Sequence, residues 1–204
     1  MDKIDLKKLY KSLYTPSKKE FSIVEVPPLQ YLMIDGVGNP VTSQRYQEAV
    51  QTLYSIAYTL KFHVKKTQEK DFTVMGLEGL WFMPDMKEFS LATKERWCWT
   101  AMILQPDFIT ADLFEEARRK AAAKGKAPLT NEVRLETYSE GLCAQILYLG
   151  TYVDEAPTIA AMHQFIAAQG YLLSGKHHEI YLSDARRVAP EDNRTILRQP
   201  MKKA

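Results

Sequence analysis

The sequence is poor in cysteine and lacks long apolar runs. Its 204 residues include two cysteines, Cys98 and Cys143, which are too few for a disulfide scaffold and lack the spacing of a zinc site. No apolar run approaches the length that spans a membrane, and the charged N-terminus lacks the apolar segment of a signal peptide. We therefore expect a cytoplasmic protein that has no membrane partner and whose cysteines are reduced core residues.

The sequence also lacks an excess of charge of either sign, because its 27 Lys and Arg residues nearly balance its 25 Asp and Glu residues, for a net charge of +2. The basic residues occur in scattered pairs rather than on one element, so we expect no nucleic-acid partner. Of the residues, 46% are hydrophobic. That content can bury a sizeable core in one domain or in two small fused modules.

Apolar periodicity and capping residues predict alternating strands and helices. Predicted strands lie at 21–34, 72–83, 96–105, 131–138, 142–152, 176–182 and 195–199. Predicted helices run from Thr42 or Ser43 to Lys66, from Thr110 to Gly125 and from Asp154 to Gly170. Pro27 and Pro28 remove two backbone donors from the first strand, so we expect it to bulge or to lie at an edge. The tail at 201–204 is expected to be loose.

The order strand, helix, strand, strand occurs twice, in modules of about residues 20–106 and 109–200. No residue-level identity links the two modules, so the duplication rests on element order alone. It predicts an α+β fold, with residues 1–204 as a single domain of two modules related by pseudo-two-fold symmetry. Each module would pack a long helix on antiparallel strands, and a ligand groove would form between the halves.

The segment Lys176–Asp184 is a predicted strand that carries an acid, Glu179, where an apolar residue is expected. Alternation gives one face to His177, Glu179, Tyr181 and Ser183, and the other to His178, Ile180 and Leu182. A carboxylate that is desolvated beside aromatic rings suits a general base or a counter-ion for a cationic ligand. The alternative is a solvated outer face on which Glu179 has no role. The adjacent histidines point to opposite faces and cannot chelate together, so we predict no metal, and we expect no cofactor.

All three tryptophans fall on two neighbouring predicted strands, Trp81 on one and Trp97 and Trp99 on the other. Three tryptophans on adjacent strands indicate either a large core or an aromatic box, and a box requires an acid opposite the rings. Tyr54 and Tyr58 lie four residues apart on the first long helix and would share one flank of it.

Five motifs in this order carry a family resemblance: Leu77–Trp81, Arg96–Thr100 running on to Gln105–Phe108, Glu140–Gln145, His177–Asp184 and Thr195–Arg198. Together they resemble the stand-alone GyrI-like family over nearly the whole chain beyond about Phe21. The resemblance implies a tandem strand-helix-strand-strand fold with a ligand groove at the pseudo-two-fold axis.

The resemblance also implies a small-molecule ligand. Related domains are drug sensors in MerR-type activators, where a buried glutamate and aromatic rings hold lipophilic, often cationic compounds, and that glutamate matches Glu179. Some stand-alone members resemble hydrolases that open the cyclopropane of DNA-alkylating natural products and so give self-protection. We expect no separate DNA-binding domain, because the segment before Phe21 is too short to supply one. One alternative to a hydrolase is a non-catalytic module that binds or sequesters planar lipophilic or cationic compounds. Another is an effector-sensing partner of a transcription regulator.

Opening a cyclopropane that is fused to a dienone requires a base, a proton donor and a flat aromatic slot. Glu179 is the candidate base, Tyr152 the candidate donor, and Trp81 and Trp99 the candidate slot walls. Further candidates for substrate contacts are Trp97, Tyr58 and Tyr181. Glu155, in the first turn of a predicted helix, is a candidate second carboxylate that orients the water, and its alternative role is helix capping. The expected partner is a lipophilic aromatic small molecule, and the oligomeric state is open, with a homodimer as one alternative.

Overall fold

The computed structural model describes residues 3–85, 91–184 and 187–204. Its strands are β1 (Lys3–Ile4), β2 (Ser22–Val26), β3 (Leu29–Val37), β4 (Asp71–Phe72), β5 (Glu78–Phe82), β6 (Cys98–Leu104), β7 (Arg134–Tyr138), β8 (Gly141–Leu149), β9 (Tyr171–Leu173), β10 (His177–Tyr181) and β11 (Arg194–Lys203). Its helices are α1 (Leu6–Leu9), α2 (Lys11–Tyr14), α3 (Gln44–Thr67), α4 (Ala111–Ala123) and α5 (Ala156–Ala168). Apart from β1 and β4, which pair in parallel, the strand pairs described below are antiparallel. The predicted α+β class is confirmed.

The chain divides into two compact units. Unit 1 comprises Met1–Leu9 and Leu29–Tyr138, and unit 2 comprises Tyr10–Pro28 and Ser139–Ala204. Unit 1 contains the order strand, helix, strand, strand as β3-α3-β5-β6, and unit 2 contains it as β8-α5-β10-β11. Helix α4 and strand β7 are additions within unit 1, whereas β2 is an addition within unit 2.

In unit 1 the antiparallel strands follow the order β5-β6-β3-β7, and α3 packs on β3 and β6. Helix α3 begins where the Ser43 hydroxyl accepts a hydrogen bond of 3.2 Å from the Tyr46 amide, so Ser43 rather than Thr42 is its cap. The face of α3 toward the sheet is fully buried and carries Ala49, Leu53, Ile56, Ala57, Leu60 and Val64. Burying each of the larger of these side chains contributes about 1.5–3 kcal/mol to stability, so packing rather than propensity stabilises α3.

In unit 2 the antiparallel order is β2-β8-β11-β10, and β9 pairs with the C-terminal end of β11. Helix α5 packs on β8, β9 and β11 and begins with Pro157 in its first turn, where the missing N–H is not needed. The buried cluster beneath α5 consists of Ala144, Ile146, Met162, Ile166, Leu197 and Met201.

The prolines at 27 and 28 separate two strands instead of bending one. β2 belongs to unit 2 and β3 to unit 1, and the predicted edge position is wrong for β3, which lies between β6 and β7. The single strand predicted at 72–83 is only partly correct, because β4 and β5 occupy its two ends and residues 73–77 are not in a strand. The chain leaves the ladder between β4 and β5, and there the Leu77 amide donates to the Tyr54 hydroxyl at 3.0 Å.

The C-terminal tail is ordered, contrary to the prediction. Strand β11 extends to Lys203, and Met201 pairs with Leu173 of β9. Met201 is buried in the cluster beneath α5, which explains why this end of the chain is held. Among the residues that the structure covers, no helix combines the length and the apolar character needed to cross a bilayer.

Candidate functional site

Glu179 lies in the middle of β10, opposite Leu197 of β11, and is 6% exposed. The Tyr181 hydroxyl donates a hydrogen bond of 2.8 Å to Glu179 Oε2. The other carboxylate oxygen, Oε1, lies 3.7 Å from Nε2 of His177. The alternation of β10 thus places His177, Glu179 and Tyr181 on one face, as the sequence predicts. The alternative, a solvated outer face, is wrong, because His177 and Glu179 are buried and Tyr181 is half-buried.

Tyr152 lies in the turn between β8 and α5. Two hydrogen bonds of Thr151 stabilise this turn. Its carbonyl accepts from the Tyr148 hydroxyl at 3.0 Å, and its hydroxyl donates to Asp154 at 2.6 Å. The Tyr152 ring meets the Tyr181 ring edge to face, with 5.7 Å between centroids. The structure therefore places Tyr152 in contact with Tyr181, whose hydroxyl donates to Glu179.

Burial raises the pKa of Tyr152, and the negative charges of Glu179 and Glu155 raise it further, whereas a hydrogen bond with Asn193 opposes the shift. Asn193 is itself held, because the Ser183 hydroxyl donates to its side-chain oxygen at 2.7 Å. The phenol of Tyr152 is thus kept protonated and able to donate.

Glu155 is buried and lies immediately before α5. It occupies the N-cap position, but its side chain makes no capping hydrogen bond, which speaks against helix capping as its role. Its negative charge is one of the smaller causes of the raised pKa of Tyr152, after burial and Glu179. Glu179, Tyr152 and Glu155 all lie in unit 2.

The opposite face of β10 carries a second polar group that the sequence did not reveal. His178 Nδ1 lies 3.0 Å from Glu140 Oε1, and Arg198 Nη1 donates to Glu140 Oε2 at 3.1 Å. Arg198 also donates to Gln145 Oε1 at 3.1 Å and to the Leu13 carbonyl at 2.7 Å. Burial opposes ionisation of Glu140, but His178 and Arg198 outweigh burial and hold its pKa below the ordinary value. The face that carries His178, Ile180 and Leu182 is thus only partly apolar.

A third polar group is formed by His177, which shares a face of β10 with Glu179, together with Gln199 and His163. Burial lowers the pKa of His177 to about 3, with further lowering from His163, while polar contact with Gln199 opposes the shift. Burial likewise lowers the pKa of His163, again against the contact with Gln199. Both histidines are therefore neutral near pH 7. Only His177 could have been found from the sequence, by its position two residues before Glu179.

The three tryptophans belong to a packed aromatic cluster in unit 1. Trp81 pairs with Trp99 across β5 and β6, and Tyr46 of α3 meets both rings at centroid distances of 5.8 and 5.0 Å. Trp97 lies 5.8 Å from Trp81. All three tryptophans are buried. The Nε1 atom of Trp99 is buried, and no hydrogen-bond partner for it is found in the part of the chain that the structure covers.

Two predicted substrate contacts lie elsewhere. Tyr58 is 48% exposed on α3 and contacts Tyr54 and Phe62 along that helix, rather than a tryptophan. Tyr181 lies in unit 2 against Tyr152. Within residues 3–85, 91–184 and 187–204, no set of three or more histidine, cysteine and acidic side chains is arranged to hold a metal ion.

Unit 2 also has a shallow surface depression of about 310 Å³. Its lining consists of Lys18, Ile146, Leu147, Tyr148, Leu149 and Thr158. None of the three predicted catalytic residues lines it, so the depression is not the predicted catalytic site.

The sequence also matches a known protein family over most of its length. Residues 19–202 match the family described as the GyrI-like small molecule binding domain. The chain belongs to this family, and the resemblance predicted from its motifs is confirmed.

Solved structures agree with this assignment. An uncharacterized conserved protein from Listeria innocua is 40% identical, with a TM-score of 0.91 over 98% of this chain and 100% of that one. Two structures described as hydrolases from the same organism are 38% and 39% identical, with TM-scores of 0.85 and 0.88 and the same coverage. No curated protein matches the chain.

Proposed function

We propose that the protein is a hydrolase that opens the strained ring of lipophilic, electrophilic cyclopropanoid compounds by adding water. Membership in a small-molecule-binding family and the similarity to two proteins described as hydrolases support the general class. The observation that carries the specific proposal is the buried Glu179 carboxylate, which accepts a hydrogen bond from Tyr181, whose ring in turn contacts that of Tyr152.

In the proposed reaction Glu179 acts as the general base. It takes a proton from a water molecule, and the water oxygen forms a bond to the methylene carbon of the cyclopropane. The carbon–carbon bond between that methylene and the ring breaks, and its electron pair moves to the dienone oxygen. That oxygen takes a proton from Tyr152 and becomes a phenol. Glu179 then returns its proton toward the Tyr152 oxygen through solvent, so the net change is the addition of one water.

Tyr152 keeps its phenol proton near pH 7, and in the proposal it gives this proton to the dienone oxygen; its raised pKa makes it a weaker acid than a free tyrosine. Glu155 is the second carboxylate of the group, and in the proposal it orients the attacking water. Its carboxylate is buried at the N-terminal end of α5, where the helix dipole favours the ionised form.

The test uses a compound that carries a cyclopropane fused to a dienone, with mass spectrometry of the recovered product. We expect the wild-type protein to yield a product heavier by one water. Glu179→Gln should lower turnover by roughly 10²- to 10⁴-fold, the range for loss of a general base, while ligand-induced quenching of tryptophan fluorescence is retained. Tyr152→Phe should lower turnover without loss of binding. Glu20→Gln, at an exposed position of unit 2, is the matched control and should behave as wild type.

Two results would contradict the proposal. If the compound quenches fluorescence but is recovered intact, the protein binds or sequesters its ligand without hydrolysing it. If turnover is unchanged in Glu179→Gln, another group is the base.

A further inference from the structure

His177 stands next to the proposed base and is absent from the reaction described above. It precedes Glu179 by two residues on β10, so both side chains leave the same face of the strand. The His177 ring is 3% exposed, and its Nε2 lies 3.7 Å from Glu179 Oε1. This distance exceeds an ordinary hydrogen bond but leaves no room for a water between the two atoms. A small rotation of either side chain would therefore join them directly.

The surroundings of His177 restrict what its ring can do. The Gln199 amide nitrogen donates to the carbonyls of Ser174 at 2.8 Å and Pro200 at 3.3 Å. Both amide hydrogens are thus used, so polar contact between Gln199 and the histidines involves its oxygen, which can only accept. A neutral imidazole has one N–H. Both ring nitrogens of His177 are buried, and neither has a hydrogen-bond partner among the residues that the structure describes. The single N–H of the neutral ring therefore has two candidate acceptors, the Glu179 carboxylate and the Gln199 oxygen.

The charges around His177 decide which acceptor receives that proton. The titratable groups that act on the ring are Glu179 on β10, His178 on the same strand, His163 on α5 and Glu140 before β8. An ionised carboxylate is a stronger acceptor than a neutral amide oxygen. His177 itself stays neutral, since burial lowers its pKa to about 3. The N–H is therefore favoured on Nε2, where it faces Glu179.

We propose that His177 is a positioning residue for Glu179. His177 donates from its Nε2 to Glu179 Oε1, while the Tyr181 hydroxyl donates to Glu179 Oε2. The carboxylate is then held at both oxygens by two neutral donors from its own strand. A charged donor would lock Glu179 in its ionised form, whereas a neutral imidazole orients the carboxylate and still lets it take up a proton. This inference rests on the proposed function for its role in turnover, but the contact itself can be tested without turnover.

The direct test is ¹⁵N NMR of the histidine rings in the full-length protein at neutral pH. We expect the His177 signals to show a neutral ring that is protonated at Nε2. In Glu179→Met, which keeps the side-chain length but removes the acceptor, the proton should move to Nδ1. A wild-type ring that is charged, or that is protonated at Nδ1, would overturn the proposal, because Nε2 could not then act as the neutral donor. His63, which contacts Glu116 and Lys120 in unit 1, provides the reference and should not change in Glu179→Met.

The kinetic test compares two substitutions of His177. His177→Leu should lower kcat by up to about 100-fold with little change in KM, because the base is present but poorly oriented. His177→Gln, whose amide can also donate, should recover part of the loss. Equal kcat values in wild type and His177→Leu would refute the positioning role. If the wild-type protein opens no cyclopropanoid at all, the proposed function fails, and the NMR result still decides the His177–Glu179 contact.

Discussion

The two units build chemically different interiors on the same strand order. In unit 1, the pair of β5 and β6 sets Trp81 opposite Trp99, and α3 adds Tyr46 to these rings. In unit 2, the corresponding pair of β10 and β11 sets His178 opposite Arg198. The first pair therefore carries an aromatic cluster beside one buried carboxylate, Glu78, whereas the second carries several buried ionisable groups.

The two interiors are therefore stabilised by different interactions. An aromatic cluster is stabilised by apolar burial and ring contacts, which do not change with pH. A buried polar group depends on every partner, since each charge that loses its partner stays desolvated. We therefore expect loss of a single charge to be most costly in the buried network of unit 2, and changes in volume to be most costly in the aromatic cluster of unit 1.

The largest expected effect follows from removing Arg198, which is fully buried and donates to Glu140, Gln145 and Leu13. Arg198→Met leaves the Glu140 carboxylate buried with a single basic neighbour, so the free energy of unfolding should fall by about 3–5 kcal/mol. Urea denaturation measures the change.

Two further variants sharpen this prediction. Arg194→Met, at an exposed position of the same strand, is the control and should change stability little. Adding Glu140→Gln to Arg198→Met should recover part of the loss, because the buried carboxylate is then removed together with its arginine. A loss for Arg198→Met no larger than that for Arg194→Met would show that the buried ion pair contributes nothing.

Trp99→Ala examines the aromatic side of the comparison. Trp99 is 1% exposed, and if it is a core residue, its removal should cost about 3–5 kcal/mol of stability. If it is a slot wall for a flat ligand, stability should be kept, and affinity should fall by roughly 1 kcal/mol of stacking. Its burial leads us to expect the loss of stability, measured by thermal melting beside ligand titration. Retained stability together with weakened binding would favour the slot, and Trp97→Ala and Trp81→Ala should then follow the same pattern.

Local signals made much of the fold predictable. Helix α3 was found because its buried positions repeat every three to four residues and Ser43 caps it. The short elements β1, β9, α1 and α2 were missed. Each has two to four residues, too few for a periodic pattern, and β1 and β9 exist because they pair with distant strands.

The candidate site was predictable only where its contacts are local. Glu179 and Tyr181 are two residues apart, so alternation alone places them on one face. Arg198 and Glu140 are 58 residues apart, and nothing in either local sequence indicates the other. Residues that meet through tertiary packing leave no mark in a single sequence, which is why the network around Glu140 had to come from the structure.

The acid response tests unit 2 without disturbing an ion pair. Burial lowers the pKa of folded His177 to about 3 from an ordinary value of 6.5. Below pH 6.5 the unfolded chain therefore binds a proton that the folded protein does not, so stability should fall with falling pH by about 1.4 kcal/mol per pH unit for this group. His163, whose pKa is also lowered, acts in the same direction.

The measurement is the free energy of unfolding between pH 6.5 and 4.5. Protonation of Glu140, whose pKa is lowered from 4.5, reduces stability only below this range. His177→Leu should flatten this slope by about one proton, because the variant has no imidazole to titrate at this position. His63→Leu, which removes a histidine paired with Glu116, is the matched control and should keep the contribution of His177. An unchanged slope in His177→Leu would mean that the folded protein protonates His177 as readily as the unfolded chain does.

The smallest expected effect concerns how tightly the aromatic cluster of unit 1 is packed. Gly36 of β3 lies opposite Trp99 of β6, and a Cβ added there would lie 2.1 Å from Cζ2 of the indole. Gly36→Ala therefore forces Trp99 to move, at a cost of about 1–3 kcal/mol. Chemical denaturation gives this cost, and near-ultraviolet circular dichroism reports the movement of the ring. In a Trp99→Ala background the same substitution meets no indole, so its cost should largely disappear, because the two sites are coupled only through that contact. An equal cost in both backgrounds would mean that Gly36 is required by the strand itself rather than by the tryptophan. The sensitivity to volume expected of unit 1 would then not extend to the contact between Gly36 and Trp99.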